Sequence, residues 1–461
     1  MIVLKFGGAS LEDGYSLRRI IRIISAAPGH KAVVLSAFRG VTDRLDSLLG
    51  RILNRQSGEK QISVFVNKLQ REHLDFLRQS MSGRVISHET VRLIAKQCRR
   101  LERLFYGLNY IDEITERSRD LIHSFGERLS SVITAAALNA QGINSRTLES
   151  DKIGVLTDGL FGRSSAILPR ARKNIRRSVM PLIKSRVVPV ITGYFGCDRQ
   201  GRVTTFGRGG SDYSASVMAY ALDADALELW KDVDGFMSAD PVIVPEARLI
   251  KRLSYKEAAE LAYFGSTILH PRTVEPVLLK NIPIIIRNTF NPSGQGTVIQ
   301  TARSAGSLPI KGVTYEKDAC LVKVHGYGSG FGYKSGVLNE ITGCLLANNI
   351  NIKSILSAPT GIGLVFSRED FEQAFSILKK KRIELVSGFE RMAGQSLVAF
   401  IGEGVIRQKG IAARVFRALD KNKVNLEMIS AGASSAAGFF IIRRRDLAKT
   451  IRALYREFFR R

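Results

Sequence analysis

The chain has 461 residues, 45% of them hydrophobic, and carries 69 lysines and arginines against 42 aspartates and glutamates, a net charge of +27. No run of about 18 apolar residues is present, which excludes a membrane-spanning helix. The four cysteines, Cys98, Cys197, Cys320 and Cys344, form no Cys-x-x-Cys pair, which excludes a disulfide scaffold and points to a reducing compartment.

The positive charge invites a nucleic-acid reading. The basic residues are scattered, however, as at Arg99, Arg100 and Arg103 or Arg443 to Arg445, and no aromatic-interleaved basic stripe accompanies them. No nucleic-acid or membrane partner is expected, although the field favours an anionic substrate. The N-terminus enters an apolar strand directly, without the pattern of a signal peptide. A cytoplasmic protein of two to four domains is expected.

In chain order, IVLKF (2–6) predicts a strand, GGAS a loop, and LRRIIRIISAA a helix. KAVVLSA (31–37) predicts a second strand, and residues 59–140 are mostly helical, with apolar positions three and four apart. VVPVITGYF (187–195), ALELWKDVDG (226–235) and IPIIIRNTF (282–290) read as strands, the first two ending in glycine or acidic turns. This alternation predicts an α/β domain with a mostly parallel sheet, whose ligands bind at the carboxyl edge. At 291–310 the composition shifts to Gly, Ser, Pro and Thr, and a boundary is placed there. Beyond it lie two similar halves, each reading strand, glycine loop, helix, turn, strand, glycine turn, strand, helix. They predict a tandem of βαββαβ modules.

Several segments carry chemistry. Lys5 precedes two glycines between the first strand and helix, where a lysine and open backbone suit a phosphate. LSAFRGVTD (35–43) repeats that device with Thr42, and HSFGERLSS (123–131) sets Glu127 near a helix start. FGRGGSDYSA (206–215) is sharper. Arg208 suits a carboxylate, Asp212 suits an ammonium, and Gly209 and Gly210 leave room, which together read as an amino-acid site. KDVDGFMSADP (231–241) carries Asp232, Asp234 and Asp240, fit for Mg²⁺, for polar edges of a nucleotide, or for turns alone. His270 is expected to be structural. GYGSGFG (326–332) imitates a dinucleotide loop, but no acidic residue follows at the expected offset, and it is set aside.

Together these segments resemble the aspartate kinase family over nearly the whole chain. KFGGAS, LSAFRGVTD, FGRGGSDYSA, KDVDGFMSADP, GSTILHPRTVEP and IPIIIRNTFNPSGQGT are similar to its signatures in order and spacing. The stretch GEGVIRQKGIAARVFRALDKNKVNLEMIS is similar to its second regulatory ACT module. The resemblance implies a three-layer αβα amino-acid-kinase domain at 1–295, then ferredoxin-like ACT modules at 310–390 and 391–461. It implies transfer of the ATP γ-phosphoryl group to the β-carboxylate of L-aspartate, with Mg²⁺ held mainly by the nucleotide's phosphates and no protein metal site. By resemblance, Lys5 takes the phosphoryl charge, with Gly7, Gly8 and Ser10 around it. Arg208 holds a substrate carboxylate, Glu127 and Asp212 bind the substrate ammonium, and Ser36 and Thr42 line the aspartate pocket. Lys231, Asp232, Phe236 and Asp240 lie along the nucleotide. A homodimer with lysine or threonine as effector is implied, and no homoserine dehydrogenase follows, so a single-function chain is expected.

The chain departs from the family in two basic positions, with Val242 for arginine and Thr267 for lysine. Each lost charge-assisted contact is worth about 1.5–3 kcal/mol, which predicts weaker nucleotide binding unless another base, such as Arg248 or Lys251, compensates. SILSAPTGIG and AGASSAAGFF also differ from the usual effector-binding stretches, so effector binding is expected to be altered or absent. An amino-acid sensor with weakened catalysis is the alternative reading.

Overall fold

The computed structural model describes residues 1–81, 83–301, 308–327, 331 and 334–460. Most of the glycine run at 326–332 lies outside the described residues. The chain divides into two units. Met1–Phe236, Leu249–Ala262 and Thr267–Arg303 form the first; Met237–Arg248, Tyr263–Ser266 and Ser304–Arg461 form the second.

The strands of the first unit are β1 (Ile2–Phe6), β2 (Lys31–Leu35), β3 (Ser145–Leu148), β4 (Val188–Thr192), β5 (Phe195–Cys197), β6 (Val203–Thr205), β7 (Ala226–Lys231), β8 (Arg252–Ser254), β9 (Ile284–Asn288) and β10 (Thr297–Gln300). Eight form one sheet in the order β3-β4-β2-β1-β7-β9-β10-β8, while β5 and β6 pair apart. Every pairing in the large sheet is parallel except β10 on β9. β1, β2 and β4 are buried on both faces, as the near-continuous apolar runs VVL and IVLKF require of central parallel strands.

Alternation along β1 sets the layers. Leu4 and Phe6 pack into a core with Leu17, Leu45, Leu69, Leu101 and Leu129, drawn from helices Gly14–Ala26, Val41–Leu53, Glu59–Ser80, His88–Ile111 and Phe125–Ala140. Val3 and Lys5 face the other way, toward helix Gly210–Leu222, which packs on β1 and β2. That helix is buried nearly all round, and its Ser and Ala residues let it lie close to the sheet.

Residues 297–300, inside the 291–310 stretch where composition places a boundary, form β10, which joins β8 and β9. Thr297 anchors it: its hydroxyl donates to the Ile250 carbonyl at 2.7 Å and accepts from the Phe236 amide at 2.9 Å. Gly296, at φ 68°, provides the turn into it.

The second unit contains β11 (Gly312–Gly326), β12 (Ser354–Ala358), β13 (Gly361–Phe366), β14 (Val386–Ile401), β15 (Met428–Ala431) and β16 (Ala437–Arg443), in one sheet ordered β12-β13-β11-β14-β16-β15. Each βαββαβ half is present, but the halves share their long strands. Residues 320–325 of β11 pair with β13, whereas 312–316 pair with 397–401 of β14, next to β16. The second half thus draws its outer strand from residues that precede the first, and position 390/391 falls inside β14. The loop Met237–Arg248 belongs to this unit as well. Ala239 and Val244 enter its core with Val313, Phe400 and Ile451, and the Tyr455 hydroxyl donates to the Glu246 carbonyl at 2.6 Å.

Candidate active site

The carboxyl ends of β1, β2, β4 and β7 are aligned by register, Phe6 opposite Leu35 and Trp230, and Leu35 opposite Thr192. The chain leaves β1 for β2 on one side, and β7 joins β1 from the other. Loops diverge at such a reversal and open a crevice over the strand ends. Lys5 stands at this point, one residue before the end of β1.

Lys5 Nζ lies 2.5 Å from Asp212 Oδ1, and Lys231 Nζ lies 2.5 Å from Asp212 Oδ2. The strand pattern explains the meeting. Lys5 pairs in register with Leu229, so Lys231, two residues on, projects from the same face of the sheet. Asp212 reaches them from the first turn of helix Gly210–Leu222, where a carboxylate also suits the helix dipole. Burial pushes the Asp212 carboxyl up, but Lys231 and Lys5 outweigh it and hold the group well below the usual carboxylate range. Burial lowers Lys5, against the pull of Asp212. Sequence reasoning gave Asp212 to a substrate ammonium and Lys231 to the length of the nucleotide. In the structure Asp212 is paired with the two lysines.

Two ammonium groups and one carboxylate leave one net positive charge in a buried crevice, a setting that favours an anion. Gly7 and Gly8 border it. A Cβ on Gly7 would lie 3.3 Å from Lys5 Nζ, and one on Gly8 would lie 3.4 Å from the Ala37 carbonyl, so side chains there would narrow the approach. Two helices start at this edge after left-handed glycines, Gly40 at φ 74° and Gly209 at φ 71°, and neither has a side-chain cap. Arg208, exposed, sits between Gly207 and Gly209.

Glu127 is buried beside this crevice. Its Oε1 accepts from the Ala37 amide at 3.1 Å, while Oε2 has no partner. Burial pushes its carboxyl up to about 8, against the opposing effects of the Ala37 amide, Lys5 and Arg128. Gly126 makes the approach feasible, since a Cβ there would fall 2.6 Å from Ala37 Cβ. An unpartnered buried carboxyl of this kind suits a ligand ammonium. Ser36 and Thr42, both half-buried, lie in the same loop and the following helix; the Ser36 amide donates to the Phe6 carbonyl at 3.1 Å.

Other expected site residues are placed differently. The Ser10 hydroxyl is fully buried and meets Thr289 Oγ1 at 2.8 Å, tying the loop after β1 to the segment after β9. Phe236 is 1% exposed, and its amide and carbonyl are bonded to Thr297 and Ile250, so its ring is core. Asp232 is exposed, and Asp234 accepts from Asn288 at 2.9 Å. Asp240 belongs to the second unit, where it accepts from Tyr315 at 2.6 Å and from the Val242 amide at 2.8 Å. The three acids are therefore not gathered, and among the described residues no group of three or more His, Cys, Asp or Glu stands ready to hold a metal ion. His270 caps a short turn, accepting from the Arg272 amide at 3.3 Å. Val242 and Thr267 are exposed.

Sequence reasoning missed Tyr194. It has φ 72°, a strained value for a residue with a side chain, and its ring lies against Gly210. Burial, with the Glu127 charge, pushes its phenol up to about 12. The available signal was its place just after the β4 run, at the edge where ligands bind.

A parallel sheet with a paired-lysine anion crevice, an unpartnered carboxyl and glycine-led helix starts defines an α/β phosphoryl-transfer domain. The chain belongs to the amino acid kinase family, whose model matches residues 1–288, and an ACT domain model matches 398–458. It is 29% identical to aspartokinase 2, chloroplastic, of Arabidopsis thaliana, over 99% of this chain and 84% of that one. It is 27% identical to the aspartokinase of Candida albicans, over 98% and 89%. Among solved structures, E. coli aspartokinase III in complex with lysine and aspartate aligns over 100% of this chain and 99% of its own, with TM-score 0.81 and 25% identity. Clostridium acetobutylicum aspartate kinase aligns over 99% and 100%, with TM-score 0.80 and 25% identity. Among the described residues no helix is long and apolar enough to cross a membrane.

Proposed function

We propose that this chain is an aspartate kinase, transferring the γ-phosphoryl group of ATP to the β-carboxylate of L-aspartate to give 4-phospho-L-aspartate and ADP. The observation that carries it is the net positive crevice built by Lys5, Lys231 and Asp212 at the switch point of a family sheet. The aspartokinases it is similar to along their length supply the substrate class.

The chemistry asks little of a general base. A carboxylate nucleophile has a pKa of about 3.9 and is ionised near neutral pH. What remains is to position two anions and neutralise the charge on the transferring group. Lys5 supplies that charge, Arg208 takes the α-carboxylate, and Glu127 takes the ammonium through its free oxygen. Mg²⁺ arrives with the nucleotide, held by its phosphates. The weakened-sensor alternative is not favoured, because the paired ammonium groups are in place.

Regulation by an end-product amino acid such as lysine or threonine, a homodimer, a cytoplasmic location and a role in lysine, threonine and methionine biosynthesis complete the reading. In support of the effector, the second unit contains the ACT match and a cavity of about 400 Å³ lined by Leu321, Lys323, His325, Leu356 and Met428. The test is ATP-dependent acyl-phosphate formation, trapped with hydroxylamine, from L-aspartate, L-glutamate and N-acetyl-L-glutamate. Product from aspartate alone supports the reading; product from another acid, or none, overturns it.

A further inference from the structure

We propose that Lys231 and Lys5 form one phosphoryl-binding pair with Asp212 as its spacer, so that β7 supplies the positive charge lacking at Thr267. This rests on the aspartate kinase reading and extends it to a residue of this site.

The geometry carries the inference. The two lysines project from one face of adjacent parallel strands and hold different oxygens of the same carboxylate, each at 2.5 Å. A structural ion pair would need one lysine; a second leaves a charge unmatched. Their side chains are 5% and 17% exposed, so water does not readily neutralise the excess. A lysine ammonium has three donors. Asp212 Oδ2 accepts one from Lys231, and Lys5 pairs with Oδ1 by charge at 2.5 Å, which leaves donors on both lysines for oxygens of a phosphoryl group between them. Thr267 and Val242 bring no charge, and Arg248 and Lys251 are exposed, with Arg248 in the second unit. Within the described site, the charge stands on β7.

The test compares wild type with Lys231→Met and Lys231→Arg, using kcat, the aspartate KM, and the Kd of a non-hydrolysable ATP analogue against that of ADP. A γ-phosphoryl contact is lost to the analogue and not to ADP, a difference that a merely structural lysine would not produce. Lys231→Met is expected to lower kcat about 10- to 100-fold and weaken the analogue about 10-fold. Aspartate KM and ADP affinity should stay within about two-fold, and Lys231→Arg should recover part of the loss. Lys231→Met with kcat and analogue preference unchanged overturns the proposal, as does equal weakening of ADP and analogue. If Lys231→Met does not fold, the same comparison on Lys231→Arg decides: an unchanged analogue-to-ADP ratio overturns it. A wild type that makes no acyl phosphate from aspartate sinks the aspartate reading instead, and the nucleotide comparison still judges the pair.

Discussion

Lys5 Nζ lies 2.5 Å from Asp212 Oδ1, a contact between the end of the first strand and the start of a helix 207 positions later in the chain (212 minus 5). Both groups are buried, so each depends on the other. Asp212→Asn leaves two ammonium groups facing one another without their counter-charge. It is expected to cost about 3–5 kcal/mol of stability, measured by urea denaturation, and to lower kcat at least 100-fold, roughly the scale of losing a preorganised electrostatic group.

Glu127 gives a pH signature. Its native carboxyl titrates at about 8 against an ordinary 4.5. Between those values the native state keeps a proton that the unfolded chain has released. The contribution is fully present below pH 4.5 and is lost as pH rises toward 8, with a limiting slope of about 1.4 kcal/mol per pH unit. Glu127→Gln should remove that slope, so the variant gains on wild type in Tm from pH 5 toward pH 8, roughly the window between the two values. A bound ammonium favours the ionised form, so aspartate should bind wild type more tightly as pH rises through the same window. A parallel pair of Tm curves would contradict this account of Glu127.

Gly209 tests the loop that carries Arg208. Its φ is 71°, and a Cβ there would fall 2.4 Å from His270 Cβ. Gly209→Ala therefore meets both strain and a clash, and should destabilise the first unit by about 1–3 kcal/mol. Gly29, also at positive φ but with nothing within 4 Å, is the control, and alanine there should cost less than half as much.

In the second unit, the Tyr315 hydroxyl donates to Asp240 at 2.6 Å. Tyr315→Phe removes a charge-assisted bond and should lower that unit's stability by about 1–2 kcal/mol. Thermal melting resolved by hydrogen exchange at 238–248 and 312–316 would show it; unchanged protection in both segments would count against the anchor.

Much of the first sheet was legible because central parallel strands such as IVLKF and KAVVL are near-continuous apolar runs, each with a single lysine, flanked by loops containing glycine. The positions of Lys5, Glu127 and Asp212 were also legible, since each stands where a strand or helix meets such a loop. Their partners were not. Asp212 reads equally well toward an ammonium of the substrate or of the protein, and its pairing with Lys231 depends on the register that places Lys231 on the face of Lys5. β10 was hidden because its short TVIQ run sits in a Gly- and Ser-rich stretch and is ordered by pairing with distant strands. The exchange of outer strands in the second unit was hidden for the same reason: β11 and β14 each serve two halves, and no local pattern marks where one ends.

The central claim is that the crevice at Lys5 moves a phosphoryl group from ATP to aspartate. Phosphorus-31 NMR of wild type and Lys5→Met with MgATP and L-aspartate tests it most directly. The expected result is an acyl-phosphate resonance growing in step with ADP for wild type, with its rate at least about 100-fold lower for Lys5→Met. No acyl phosphate from wild type, or equal rates from both proteins, would contradict it.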